Sequence, residues 1–119
     1  MNKKQTLTID YTDTFEQLLD QLIAYLRDFS SELAVIERIE ALLDRFESQV
    51  TFDPLSVAVC PSLLELGVAQ FREFHADGFR VIFRVFELPT GGSRVVVDVI
   101  AQQQQNLEHL LVQHCLLHR

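Results

Sequence analysis

A chain of 119 residues, 48% of them apolar, can bury a core without disulfide or metal staples and is too apolar for a disordered segment. No apolar run approaches the roughly 20 residues of a membrane span. The net charge of −7 is uneven: residues 10–53 hold 11 Asp/Glu against 3 Lys/Arg, residues 65–119 hold 6 against 5. The first part therefore repels free nucleic acid and suits water or a basic protein partner, and only the second has room for a local basic patch.

Met1 to Thr6 carries two lysines but no following apolar region, so no secretory signal is expected. Cys60 and Cys115 are the only cysteines and stand far apart, which favours a reduced, cytoplasmic protein without excluding a disulfide. Residues 1–119 read as a single domain.

Thr6 to Tyr11 alternates polar and apolar, as a short edge strand does. Thr12-Asp13-Thr14 offers N-caps, with Thr14 and Gln17 at capping-box spacing. A helical stripe then runs Phe15, Leu18, Leu19, Leu22, Ile23, Leu26 and Phe29, and Ser30-Ser31 breaks it. The second stripe is Leu33, Ile36, Ile39, Leu42, Leu43 and Phe46. So short a joint predicts an antiparallel αα-hairpin, with Asp20, Asp28, Glu32, Glu37, Glu40, Asp44 and Glu47 on a solvated outer face. Residues 51–67 contain Pro54 and Pro61 and no clean period, so they read as a loop from which Leu63 and Leu64 can dip into the core.

Phe71 to Gln105 is the organising stretch. Asp77-Gly78 suits a two-residue type I′ turn, and Leu88 to Ser93, with Pro89, Gly91 and Gly92, makes a longer break. The three runs around these breaks, rich in Val, Ile and Phe, predict an antiparallel meander. A two-residue turn sets Ala76 opposite Phe79, His75 opposite Arg80, Phe74 opposite Val81, Glu73 opposite Ile82 and Arg72 opposite Phe83. One face then carries Phe74, Val81, Phe83 and Val85, packed with Val97 and Val99 against Leu18, Leu22, Leu26, Ile36, Ile39 and Leu43. The other carries Glu73, His75, Arg80 and Arg84 around Ile82, as a wet face or a recognition surface. Asn106 can cap a closing helix with Leu107, Leu110, Leu111 and Cys115. The order is β-αα-βββ-α: an α+β fold, an antiparallel sheet packed by a helical hairpin, with a C-terminal helix.

Few constellations promise chemistry. His114 and His118 have an i,i+4 spacing that can hold a metal. HExxH and CxxC are both missing, however, and histidines near a helix C-terminus suit the macrodipole, so no metal is expected. Gly91-Gly92-Ser93 is too short for a phosphate loop, and no cofactor is expected. Cys60, before Pro61, has no base adjacent in sequence and reads as a small buried residue. The amides of Gln102 to Gln105 can hydrogen-bond widely but do no acid–base work near neutral pH.

Leu66-Gly67, Phe71-Arg72-Glu73-Phe74, Gly78-Phe79-Arg80-Val81-Ile82-Phe83, Val95 to Ile100 and the polar Gln102–Asn106 run together resemble the RelE/ParE superfamily. These are the toxin halves of bacterial type II toxin–antitoxin pairs, and the resemblance covers most of the chain in element order. It implies an antitoxin that wraps the toxin with a helix and a strand. It also implies apolar surface left near the αα-hairpin or first strand without that partner, which a homodimer could cover.

RelE-like members are ribosome-dependent mRNA endonucleases with basic residues on the sheet face. In this sequence Arg80 matches the arginine that contacts the scissile phosphate. Phe71 and Glu73 stand where lysines are usual, Gln104 where an arginine is expected, and Leu110 near the expected tyrosine. ParE-like members instead poison DNA gyrase, and the long helical hairpin looks more like that branch. The favoured expectation is a toxin that binds a protein target, gyrase, through Arg72, Glu73, Arg80, Arg84, Gln102 and Gln104. The alternatives are a ribosome-dependent endonuclease using Arg80, Arg84 and His75, or a degenerate toxin that keeps only antitoxin binding.

Overall fold

Thr12 starts the helical half of the molecule: its Oγ1 accepts the Phe15 N–H at 3.0 Å, so Thr12 and not Thr14 is the N-cap. The computed structural model describes residues 6–103. Its elements are β1 (Leu7–Tyr11), α1 (Asp13–Leu26), α2 (Glu32–Phe52), α3 (Pro61–Leu64), β2 (Arg72–Ala76), β3 (Phe79–Glu87) and β4 (Ser93–Gln102). The expected closing helix, with His109, His114, Cys115 and His118, lies outside the described residues, as do Gln104 and Leu110.

The second helix is capped by Ser31, whose Oγ accepts the Ala34 N–H at 3.1 Å. Its buried residues are Val35, Ile39, Leu42, Phe46 and Val50, a stripe one residue away from the expected one at its start. Leu33 and Ile36 are therefore exposed, not core, as is Phe29, which follows the end of α1. The expected loop at 51–67 contains the last two residues of α2 and the short α3; Leu63 is buried and Leu64 exposed.

The sheet order is β1-β4-β3-β2. The hairpin register is the expected one at all five pairs, from Ala76–Phe79 to Arg72–Phe83, around Asp77 (φ 51°) and Gly78 (φ 80°). The all-antiparallel expectation fails at β1, an edge strand that runs parallel to β4. Parallel neighbours need a crossover rather than a hairpin, and here the helices and the meander together supply it.

Gly92 lets β1 and β4 approach closely at their start. A Cβ there would sit 2.2 Å from the Thr6 carbonyl oxygen, which accepts the Ser93 N–H at 2.8 Å. A register shift between Ile82 and Phe83 inserts one residue, Asp98, into β4. Val97 therefore pairs with Phe83 and Val99 with Ile82, on opposite faces, which corrects their expected placement together.

On the first face Phe46 of α2 packs edge-on against Phe74 and Phe83, at 5.7 and 5.2 Å between centroids. Phe74 and Val85 pack there only partly buried, whereas Val81, Phe83, Val95 and Val97 are fully buried.

Candidate functional site

The second face, expected as a wet face or a recognition surface, is largely closed. Ile82, Val99 and Ala101 are fully buried, as are Phe71 and Cys60 beside them. Cys60 reaches this face because residues 58–60 run along β2: Val59 bridges Arg72, Cys60 N–H donates to Phe71 C=O at 2.8 Å, and Glu73 N–H to Ala58 C=O at 3.1 Å.

At the centre is Glu73, with its side chain 1% exposed. Oε2 accepts Arg80 Nη1 at 2.8 Å and also contacts His75 Nε2, and Oε1 accepts the Cys60 thiol at 3.1 Å. Arg80 Nη2 donates to Gln103 C=O at 3.4 Å, and Arg80 Nε is buried with no hydrogen-bond partner among the described residues. The register that set His75 beside Arg80 thus brings both onto one carboxylate. His75 remains exposed, whereas Arg80 keeps only 22% of its side chain accessible.

Arg84 forms a second, separate pair. Its Nε and Nη2 donate to both Asp98 oxygens at 2.8 Å, a bidentate fork, while its guanidinium carbon lies 5.5 Å from the ring centroids of Phe71 and Phe86. Burial pushes the Asp98 carboxyl above its usual range against the pull of Arg84. Arg72 is a structural clamp, donating through Nη1 to the carbonyls of Val57 and Leu55 at 2.5 and 3.3 Å. Gln102 ends β4, half-buried and opposite Phe79.

Cys60 does have a base beside it in space, but burial, reinforced by Glu73, pushes its thiol up to about 11. A thiol so held is inert near neutral pH. No grouping of His, Cys, Asp and Glu among the described residues can hold a metal ion. Sequence reasoning missed Asp98 and the reach of Cys60. A lone charge inside the run Val95 to Ile100 was the available signal for Asp98. Nothing local marked Cys60, because it meets Glu73 only through the docking of residues 58–60.

The acidic stretch keeps its expected place. Asp20, Asp28, Glu32, Glu37, Glu40 and Asp44 are exposed on the helices, and Glu47 is half-buried, where it accepts the Tyr11 hydroxyl. Burial and that carboxylate push the Tyr11 phenol above its ordinary range. Tyr25, Phe29 and Leu33 are exposed around the α1–α2 joint, the two rings 5.2 Å apart. No helix among the described residues is long and apolar enough to cross a membrane. No protein-family model matches the chain, and no curated protein does.

Proposed function

We propose that this chain is a RelE/ParE-like toxin that acts by binding a protein and not by cutting RNA. The observation that carries the reading is the neutralisation of both candidate arginines: Arg80 is bound to buried Glu73, and Arg84 forks onto Asp98. A nuclease needs cationic groups free to meet a phosphorane. Recruiting either arginine here would strand a carboxylate out of water. The order of one strand, a helical hairpin and a three-stranded meander supports the family reading, as does the exposed apolar surface at the hairpin joint. The partners on this reading are a cognate antitoxin and a protein target, DNA gyrase.

One observation favours the endonuclease alternative. His75 is exposed and backed by the Glu73 carboxylate, an arrangement that orients an imidazole for proton transfer. Arg80→Ala cannot separate the readings, because removing Arg80 from a buried carboxylate endangers the fold. His75→Ala leaves the Arg80–Glu73 pair in place and is the better probe.

Induction of the wild type in cells should give filamentation and an SOS response, and the purified chain should inhibit gyrase supercoiling. His75→Ala should retain both effects. Immediate translation arrest with ribosome-dependent mRNA cleavage, abolished by His75→Ala, would replace this reading with the nuclease one.

A further inference from the structure

Leu7, Ile9 and Tyr11 turn their backbone N–H and C=O groups away from the sheet. The ladder dictates this. Thr6 C=O accepts Ser93 N–H at 2.8 Å, and Thr12 N–H donates to Val97 C=O at 3.1 Å. Successive strand residues point these groups to opposite sides, so Thr6, Thr8, Asp10 and Thr12 face β4 and the odd-numbered residues face out.

The two edges of the sheet differ. Residues 58–60 close the β2 edge, but beyond β1 there is no further strand among the described residues. The guards on β1 are slight: it is a five-residue strand with no Pro and no Lys, and its one charge, Asp10, is paired with Arg94, whose Nε donates to it at 2.7 Å.

We propose that this edge pairs with the same edge of a second copy, antiparallel, about a two-fold axis through Ile9. The inference does not rest on the toxin reading. Centring on Ile9 makes Ile9–Ile9, Leu7–Tyr11 and Tyr11–Leu7 the hydrogen-bonded pairs, with about six N–H···O bonds and every outward residue of β1 satisfied. Thr8 then stands opposite the partner's Asp10, so its hydroxyl can donate to that carboxylate. Centring on Asp10 would set two carboxylates face to face, and centring on Thr8 would carry Tyr11 past the end of the partner's strand. The register that satisfies the most backbone is therefore also the one with no like charges opposed. A five-residue seam buries less than the roughly 1,200 Å² of a standard interface. The dimer is accordingly concentration-dependent, and salt strengthens it by screening two chains that each carry −7.

Sedimentation equilibrium of the full chain over a concentration series should show monomer passing to dimer. Amide exchange at Leu7, Ile9 and Tyr11 should slow as dimer forms. Thr8 is exposed, so its variants keep the fold, checked by circular dichroism. Thr8→Asp opposes a carboxylate to Asp10 twice and should weaken the dimer about tenfold, whereas Thr8→Lys should tighten it. Three results would overturn the proposal: a monomer throughout with those amides unprotected, a dimer as tight in Thr8→Asp as in the wild type, or protection that comes only with a different protein.

Discussion

Truncating Arg80 to Ala tests whether the second sheet face is held by its charges or merely decorated by them. Glu73, whose side chain is 1% exposed, would lose its 2.8 Å guanidinium partner. Removing one member of a buried pair costs about 3–5 kcal/mol, because the remaining charge is stranded. Here the cost should be nearer 2–4 kcal/mol, since His75 and the Cys60 thiol still contact the carboxylate and Arg80 itself is partly hydrated.

Glu73→Gln removes the charge and should cost about 1–3 kcal/mol. With Arg80→Ala added, the double variant should be more stable than the summed singles by about 2 kcal/mol. As a control, Arg27→Ala breaks the Arg27–Glu32 pair, exposed by 54% and 57%, and should stay within about 0.5 kcal/mol of the wild type. Urea unfolding followed by circular dichroism gives all four values from midpoints at constant m. An Arg80→Ala midpoint no lower than that of Arg27→Ala would refute the claim that Glu73 is buried and needs its arginine.

Three other perturbations follow from the packing. Phe83→Ala removes a fully buried ring packed on Phe46 and should cost about 3–5 kcal/mol; a loss below about 1 kcal/mol would mean Phe83 is not core. Gly92→Ala should cost about 1–3 kcal/mol, read from thermal unfolding, because it strains a φ of 89° and drives a methyl into the Thr6 carbonyl. Cys60, tested in a Cys115→Ser background, should resist thiol reagents until the chain unfolds. Its raised folded pKa means the native state holds the proton longer, so Cys60 adds a fall in stability as pH rises from 9 to about 11. Cys60→Ala should flatten that fall, and prompt labelling of the native protein at neutral pH would contradict the burial.

The hairpin register was legible because Asp77-Gly78 admits one tight turn and the period-two pattern on either side does the rest. The helix boundary at Ser31 was legible for the same kind of local reason. What failed was non-local. The bulge that admits Asp98 leaves no mark in Val95 to Ile100 beyond one charge, and it moves Val99 to the other face. The start of the α2 stripe was misread because Leu33, Ile36 and Val35 are all apolar, and only packing selects Val35. The partners of Arg80 and Arg84 were half visible. Glu73 was placed beside Arg80 by register, but its burial depends on residues 58–60 docking along β2, which no periodicity announces.

That burial turns a sequence motif into a thermodynamic argument. A phosphate that takes Arg80 Nη1 must displace Glu73, leaving a carboxylate that is 1% exposed without its cation, at a cost of several kcal/mol. A phosphate contact returns less, since the phosphate is well hydrated beforehand and Arg80 only exchanges one charged partner for another. Arg80 is therefore thermodynamically committed to Glu73, and on the proposed toxin reading a target that leaves the pair intact is favoured over one that must break it.

Removing the acid should therefore bring a gain. Glu73→Gln should release Arg80 and raise affinity for a short single-stranded RNA, with a steeper salt dependence than the wild type shows. Fluorescence anisotropy across a salt series measures both. A wild-type chain that already binds RNA with a steep slope, or a Glu73→Gln chain that binds no better, would show that Glu73 does not restrain Arg80.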